Sequence, residues 1–207
     1  MKLDKFNSHY KVTAIERNLY GKFTEVGDAT LKNLSEVQML IDQFGGATLD
    51  KGLFRIHNRG SFYYWTKLGF DYFKKYRGAS YVFGFDWVGR HFAVTNKANK
   101  NIILMLDPAT AEVFELEASI EDFFNIDLVE GKNDLLEEKR FQQLRKGISD
   151  DLAFDHCLGF IKPLFVGGKD ENSNLDDSDM EIYWELNYQV YCKTKNLTDG
   201  TKLNFSI

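Results

Sequence analysis

Apolar residues along the first fifty positions recur at helical spacing. Leu34, Val37, Leu40, Ile41 and Phe44 lie three or four residues apart, so they share one face of a helix that Ser35 can open and Gly45-Gly46 can close. Residues 1–50 read as mostly helical on this pattern. A short strand follows at Gly52–His57, and a second helix over about residues 61–76 turns Phe62, Trp65, Phe70 and Phe73 inward. From Tyr81 the period shortens. Tyr81–Asp86 and His91–Val94 are rich in aromatic and β-branched residues and bracket a turn at Gly89. Asn101–Leu106 is the next strand, Asp107-Pro108-Ala109-Thr110 the next turn, and Glu112–Leu116 the partner strand, which makes residues 81–117 an antiparallel meander.

Beyond the meander, Ser119 with Asp122 three residues on predicts a helix start that carries Phe123 and Phe124 onto the sheet. Residues 134–146 predict a second, more exposed helix of mixed charge that stops at Gly147. The stretch 178–195 reads two ways. Met180, Ile182, Trp184, Leu186, Tyr188, Val190 and Cys192 alternate as a strand would, but Ser178 and Glu181 make a capping box and the run is too long for an ordinary strand. The cap and the length favour a helix. The fold class is therefore α+β: a helical N-terminal region, then an antiparallel β-meander packed with helices. If the chain divides, it does so near residues 76–80, giving regions 1–77 and 78–207.

Charge changes this picture more than composition does. Residues 1–100 carry 16 Lys and Arg against 9 Asp and Glu, whereas residues 101–207 carry 10 against 22. The second half holds one dense acidic run, Asp170, Glu171, Asp176, Asp177, Asp179 and Glu181, beside an aromatic segment. Such a face suits a positively charged partner and argues against direct nucleic-acid binding there. A hydrophobic content of 43% with only two prolines fits a folded chain rather than a disordered one. No stretch approaches the roughly 18 apolar residues of a membrane span, and the N-terminus lacks the apolar core of a secretory signal. Cys157 and Cys192 have neither metal-ligand nor redox spacing, and read as reduced, largely buried thiols of a cytoplasmic protein.

Candidate chemistry is sparse. Counting from Asp170, oxygen-bearing side chains fall at the first, third, fifth, seventh, ninth and twelfth places (Asp170, Asn172, Asn174, Asp176, Ser178, Glu181), the spacing of a calcium loop. Leu175 stands where the turn of such a loop needs glycine, and Lys162–Gly168 cannot be the helix that precedes one. Gly167-Gly168-Lys169 lacks the first glycine and the trailing Ser or Thr of a phosphate loop and reads as a tight turn. His156 and Cys157 are adjacent, but adjacent residues on a strand point to opposite faces, so they do not make a nucleophile pair. Asp86 and Arg90 flank Trp87 as a structural ion pair would. No catalytic residue, cofactor or metal is expected.

Two stretches together carry a resemblance. Gly78–Ala93 (GASYVFGFDWVGRHFA) resembles the opening of a domain, formerly of unknown function, now described as the C-terminal part of type VI secretion immunity proteins. Cys157–Asp170 (CLGFIKPLFVGGKD), with Asn174-Leu175 and Asp179–Glu185 (DMEIYWE), resembles its closing half, and Leu49–Ile56 (LDKGLFRI) resembles the end of the GAD-like domain that often precedes it. The resemblance spans about residues 30–195 and assigns 1–77 to the GAD-like region and 78–207 to the immunity domain. It implies a cytoplasmic protein without enzymatic activity whose partner is a cognate toxin effector, often a DNase, and it brings no catalytic residues. A nuclease cleft is basic, so the expected contacts are Asp170, Glu171, Asp176, Asp177 and Asp179 for steering, with exposed members of Tyr183, Tyr188 and Tyr191 as anchors. A calcium-responsive protein using the 170–181 loop and a small-molecule-binding regulatory domain are the alternatives. The toxin's chemistry, the oligomeric state and the role of the GAD-like region are not readable from the residues.

Overall fold

The computed structural model of the chain describes residues 1–19, 35–78, 80–98, 100–198 and 201. Leu34, part of the helical pattern, and Ala79, part of the resemblance, lie outside them. The described elements run α1 (Asp4–His9), β1 (Val12–Ile15), α2 (Ser35–Phe44), β2 (Ala47–Leu49), β3 (Phe54–Ile56) and α3 (Arg59–Tyr72). The meander follows as β4 (Ser80–Asp86), β5 (His91–Lys97), β6 (Lys100–Asp107) and β7 (Glu112–Leu116). Then come α4 (Ile120–Asp122), a π-helical turn (Phe123–Asp127), α5 (Leu128–Glu130), α6 (Lys132–Leu136), α7 (Glu138–Leu144), β8 (His156–Phe160), β9 (Leu175–Asp179) and α8 (Met180–Thr194).

Among the described residues the first seven strands form one antiparallel sheet in sequence order, β1 to β7, and β8 pairs with β9 as a separate ribbon. The α+β class and the meander hold. The N-terminal region, however, is not simply helical: it contributes β1, β2 and β3 to the same sheet. β3 pairs with β4, Phe54 opposite Asp86, so the sheet runs unbroken across the 76–80 boundary that the sequence suggested.

Both faces of the sheet are covered, which is why β5 and β6 read as nearly continuous apolar runs. On one face Phe54, Phe83, Phe92 and Ile103 meet Phe6 of α1 and Phe123 and Phe124 of the π turn. The wide π turn sets those two adjacent phenylalanines on the sheet together, and Ser119 caps its approach by accepting the Asp122 N–H. On the other face Val82, Phe85, Leu104 and Leu106 meet Trp65 of α3 and Trp184 of α8. The Trp184 indole packs edge-on to Trp65 at 5.8 Å and donates to the Gly89 carbonyl.

The expected helix over 134–146 is broken in two, because Glu137 adopts a left-handed backbone (φ 51°, ψ 44°). Its cause is tertiary. The carbonyls of Leu135 and Leu136 accept hydrogen bonds from Arg90 and from the Trp87 indole, while the Lys139 N–H turns instead to the Asn133 side chain. No helix among the described residues is long and apolar enough to cross a membrane.

Candidate functional site

The acidic residues of the second half lie on a ribbon and a helix joined end to end. β9 pairs antiparallel with β8 from Leu175 opposite Phe160 to Asp179 opposite His156, and α8 begins at the next residue. Most of the 178–195 stretch, Met180–Thr194, is therefore helical, as the length argument favoured, but the cap is Asp179, whose carboxylate accepts the Ile182 N–H at 2.9 Å. Ser178 is still within the strand and donates to the Asp176 carbonyl. The unit is anchored from both sides. The Leu158 N–H donates to the Trp87 carbonyl, and the Tyr183 ring lies against Gly159 so closely that a β-carbon there would sit 2.6 Å from it. Gly89, at φ +91°, takes a backbone conformation that L side chains rarely adopt, and any β-carbon would press on Cys157 and Tyr183.

The expected contact residues separate on this frame. Asp170 is engaged by Arg140 of α7 at 2.6 Å, and the same guanidinium holds Asn172 and Glu137, so this carboxylate secures the loop. Asp179 is half-buried and caps α8. Asp176 and Asp177 are exposed, Asp177 within 2.6 Å of His156 Nδ1, and Glu171 is exposed with only a loose approach to Lys169. Tyr183 is not a surface anchor: it is buried against Gly159, Gly89 and Met180, and burial drives its phenol well above its ordinary range. Tyr188 and Tyr191 are half-buried and turn to a groove on the far end of α8 rather than to the acidic ribbon.

Three residues that the sequence reading did not single out, Ile182, Glu185 and Leu186, complete the surface together with Glu181 of the acidic run. Glu181, Ile182, Glu185 and Leu186 occupy one exposed arc of α8 at one- and four-residue spacing, with Ile182 60% and Leu186 55% exposed. The signal was available. Once the stretch is taken as a helix, Met180, Tyr183 and Trp184 fall on one side with the buried Asn187 and leave these four on the other. Ile161, at the end of β8, is also exposed.

The calcium spacing does not become a site. Asn174 closes its own loop by bonding the Lys162 N–H and the Lys162 and Lys169 carbonyls, and residues 175–179 are extended in β9, where successive side chains face opposite ways. Among the described residues no group of three His, Cys, Asp or Glu side chains is placed to hold a metal ion. Cys157 is buried, its thiol pushed above its ordinary range by burial, and His156 lies on the opposite face of β8. Cys192 is exposed, contrary to expectation, because it sits on the solvent side of the last turns of α8; both thiols are free.

A cleft of about 470 Å³ beside β1 holds Asp50, Lys51, Glu138 and Arg145. Its carboxylates are tied to Lys132, which bridges Asp50 at 2.6 Å and Glu138 at 2.9 Å, and Lys51 and Arg145 donate to the carbonyls of Ser149 and Asp150.

Two histidines are buried in the core. His57 and His91 stack at 5.3 Å beneath Trp65, and His57 bonds Ser61. Burial holds His57 well below the ordinary histidine range and His91 down at about 3. The unfolded chain therefore takes up protons near pH 6.5 that the folded chain refuses. Stability is unaffected above that pH and falls as acid is added through the window from 6.5 to about 3. Between pH 7 and pH 5 each histidine is expected to cost about 2 kcal/mol. Buried Asp86 and Asp107, raised by burial, act in the opposite sense. Urea unfolding of wild type and His91→Gln at the two pH values isolates the histidine share, since the carboxylates cancel. An identical pH-dependent loss in both proteins would contradict it.

No protein-family model matches the chain, and no curated protein matches it. Among solved structures the chain is similar to Atu4351 from Agrobacterium tumefaciens, at 13% sequence identity and a TM-score of 0.55 over 91% of this chain and 89% of that one. At that identity the likeness extends to the fold.

Proposed function

We propose that this chain is an immunity protein: it binds a cognate antibacterial toxin, of the kind delivered by type VI secretion, and neutralises it by covering its working surface. The observation that carries the reading is the exposed unit of β9 and α8. Asp176, Asp177, Glu181 and Glu185 are presented beside Ile182 and Leu186 on elements locked to the core through Tyr183 and Trp184. Apolar anchors inside a charged surround are the usual make-up of a binding surface, and the carboxylates suit the basic cleft of a nuclease. Of the stretches that resemble the closing half of the immunity domain, 179–185 falls on this unit and 157–170 spans the paired strand β8 and the loop that follows it. The protein acts in the cytoplasm, carries no catalysis of its own and needs no cofactor.

Co-expression with the product of a toxin gene beside its own tests the reading. An equimolar complex is expected, together with growth of cells in which the toxin alone is lethal. Cells killed equally with and without this chain, across the neighbouring toxins, would overturn it.

A further inference from the structure

Away from the acidic unit, α8 helps to form a groove of opposite character. About 480 Å³ in volume, it lies between the last turns of α8 and the chain that leaves α3. Its walls are aromatic: Tyr72 lies 5.1 Å from Tyr188 and 5.5 Å from Tyr191, with Phe73 stacked on Tyr72 at 4.5 Å. Its charged members are Lys74, Lys75 and Lys195, and none of the described lining residues is acidic. Glu115, a carboxylate engaged with this wall, accepts from the Tyr76 hydroxyl and is paired with Lys97, while Lys75 lies over the Tyr76 ring and donates to its hydroxyl at 3.4 Å. Two helix C-termini converge here, each equivalent to about half a negative charge. Three ammonium groups exceed that, so the groove is positive on a chain whose net charge is −5.

We infer that this groove binds a nucleotide, a planar ring that lies on Tyr188 and Tyr191 while its phosphate meets Lys74, Lys75 and Lys195. The size falls in the range of small-ligand sites, and ring stacking beside clustered cations is how proteins hold nucleotides without reading a sequence. A free monophosphate is the source the groove suits, since it is short and bounded by the two helix ends. This inference is independent of the toxin-binding surface.

Cys192 lines the groove and is exposed, whereas Cys157, the other cysteine of the chain, is buried, so a thiol reagent reports on this site. The full chain is alkylated in the presence of adenosine monophosphate, adenosine, inorganic phosphate or a short single-stranded oligothymidylate, each up to millimolar concentration and at matched ionic strength. Adenosine monophosphate is expected to slow alkylation, with adenosine and phosphate each doing clearly less. In a Lys75→Glu, Lys195→Glu variant, which changes exposed groups only, protection should require about tenfold more nucleotide or greater. Stronger protection by the oligothymidylate would assign the same chemistry to a strand. Protection by neither nucleotide form, equal protection by phosphate alone, or protection unchanged in the variant would overturn the inference.

Discussion

On the proposed function, Ile182→Glu combined with Leu186→Glu will abolish toxin neutralisation and leave the fold intact. Both side chains are more than half exposed on α8, so their replacement creates no cavity and buries no charge. At a protein interface the loss is large, because apolar anchors carry most of the binding energy and each truncation at a hot spot costs about 2–4 kcal/mol. Here glutamate also joins Glu181 and Glu185, yet charge alone will not rescue a surface that has lost its centre. A combined loss of about a thousandfold in affinity is expected. Titration of the variant against the toxin, with circular dichroism and urea unfolding as folding controls, checks it. Retained tight binding by a folded variant would move the interface off α8.

The second large effect is structural. Asp86→Ala is expected to destabilise the protein by about 3–5 kcal/mol, because it strands a charge in the core. Asp86 is fully buried. It accepts from Arg90 Nε at 2.6 Å and from the backbone N–H groups of Val88 and Arg90, which fixes the β4–β5 turn. That turn in turn positions Trp87 and Arg90 to hold the end of α6 through the Leu135 and Leu136 carbonyls. Arg59→Ala is the contrasting case. Its pair with Asp42 is more than half exposed on both sides and should cost no more than about 1 kcal/mol. Urea unfolding of both variants tests the pair. A loss below about 1 kcal/mol for Asp86→Ala would mean that Arg90 finds other partners.

What the residues announced and what they concealed follows from the range of the interactions. The meander was readable because β4 to β7 carry β-branched and aromatic runs separated by turns with their own chemistry, such as Asp107, whose side chain accepts from Ala109 and Thr110. The Asp86–Arg90 pair was readable for the same reason: four residues and one turn contain it. β1 and β2 were not, since strands of four and three residues are too short to display a period, and β1 is largely exposed at the sheet edge. The break at Glu137 comes from Trp87 and Arg90, some fifty residues upstream, and no local signal carries it.

The site divides along the same line. The acidic run stood out in sequence, but which carboxylates remain free depended on Arg140 capturing Asp170 and on β9 persisting to Asp179, so that Asp179 caps α8. Tyr183 became core because Gly159 and Gly89 leave room for its ring. Tyr188 and Tyr191 gained their lysines from residues 74 and 75, more than a hundred positions away. Distant partners of this kind are settled by topology rather than by spacing.

Under the proposed function, opposite charge guides this protein onto a toxin, which its α8 face then covers. The most direct test is the association rate of the purified pair across ionic strength, for wild type and for a variant with Asp176, Asp177, Glu181 and Glu185 changed to lysine. The account predicts a wild-type rate that falls steeply as salt rises, and a variant that associates slowly at every salt concentration. Equal rates for the two proteins, indifferent to salt, would contradict it.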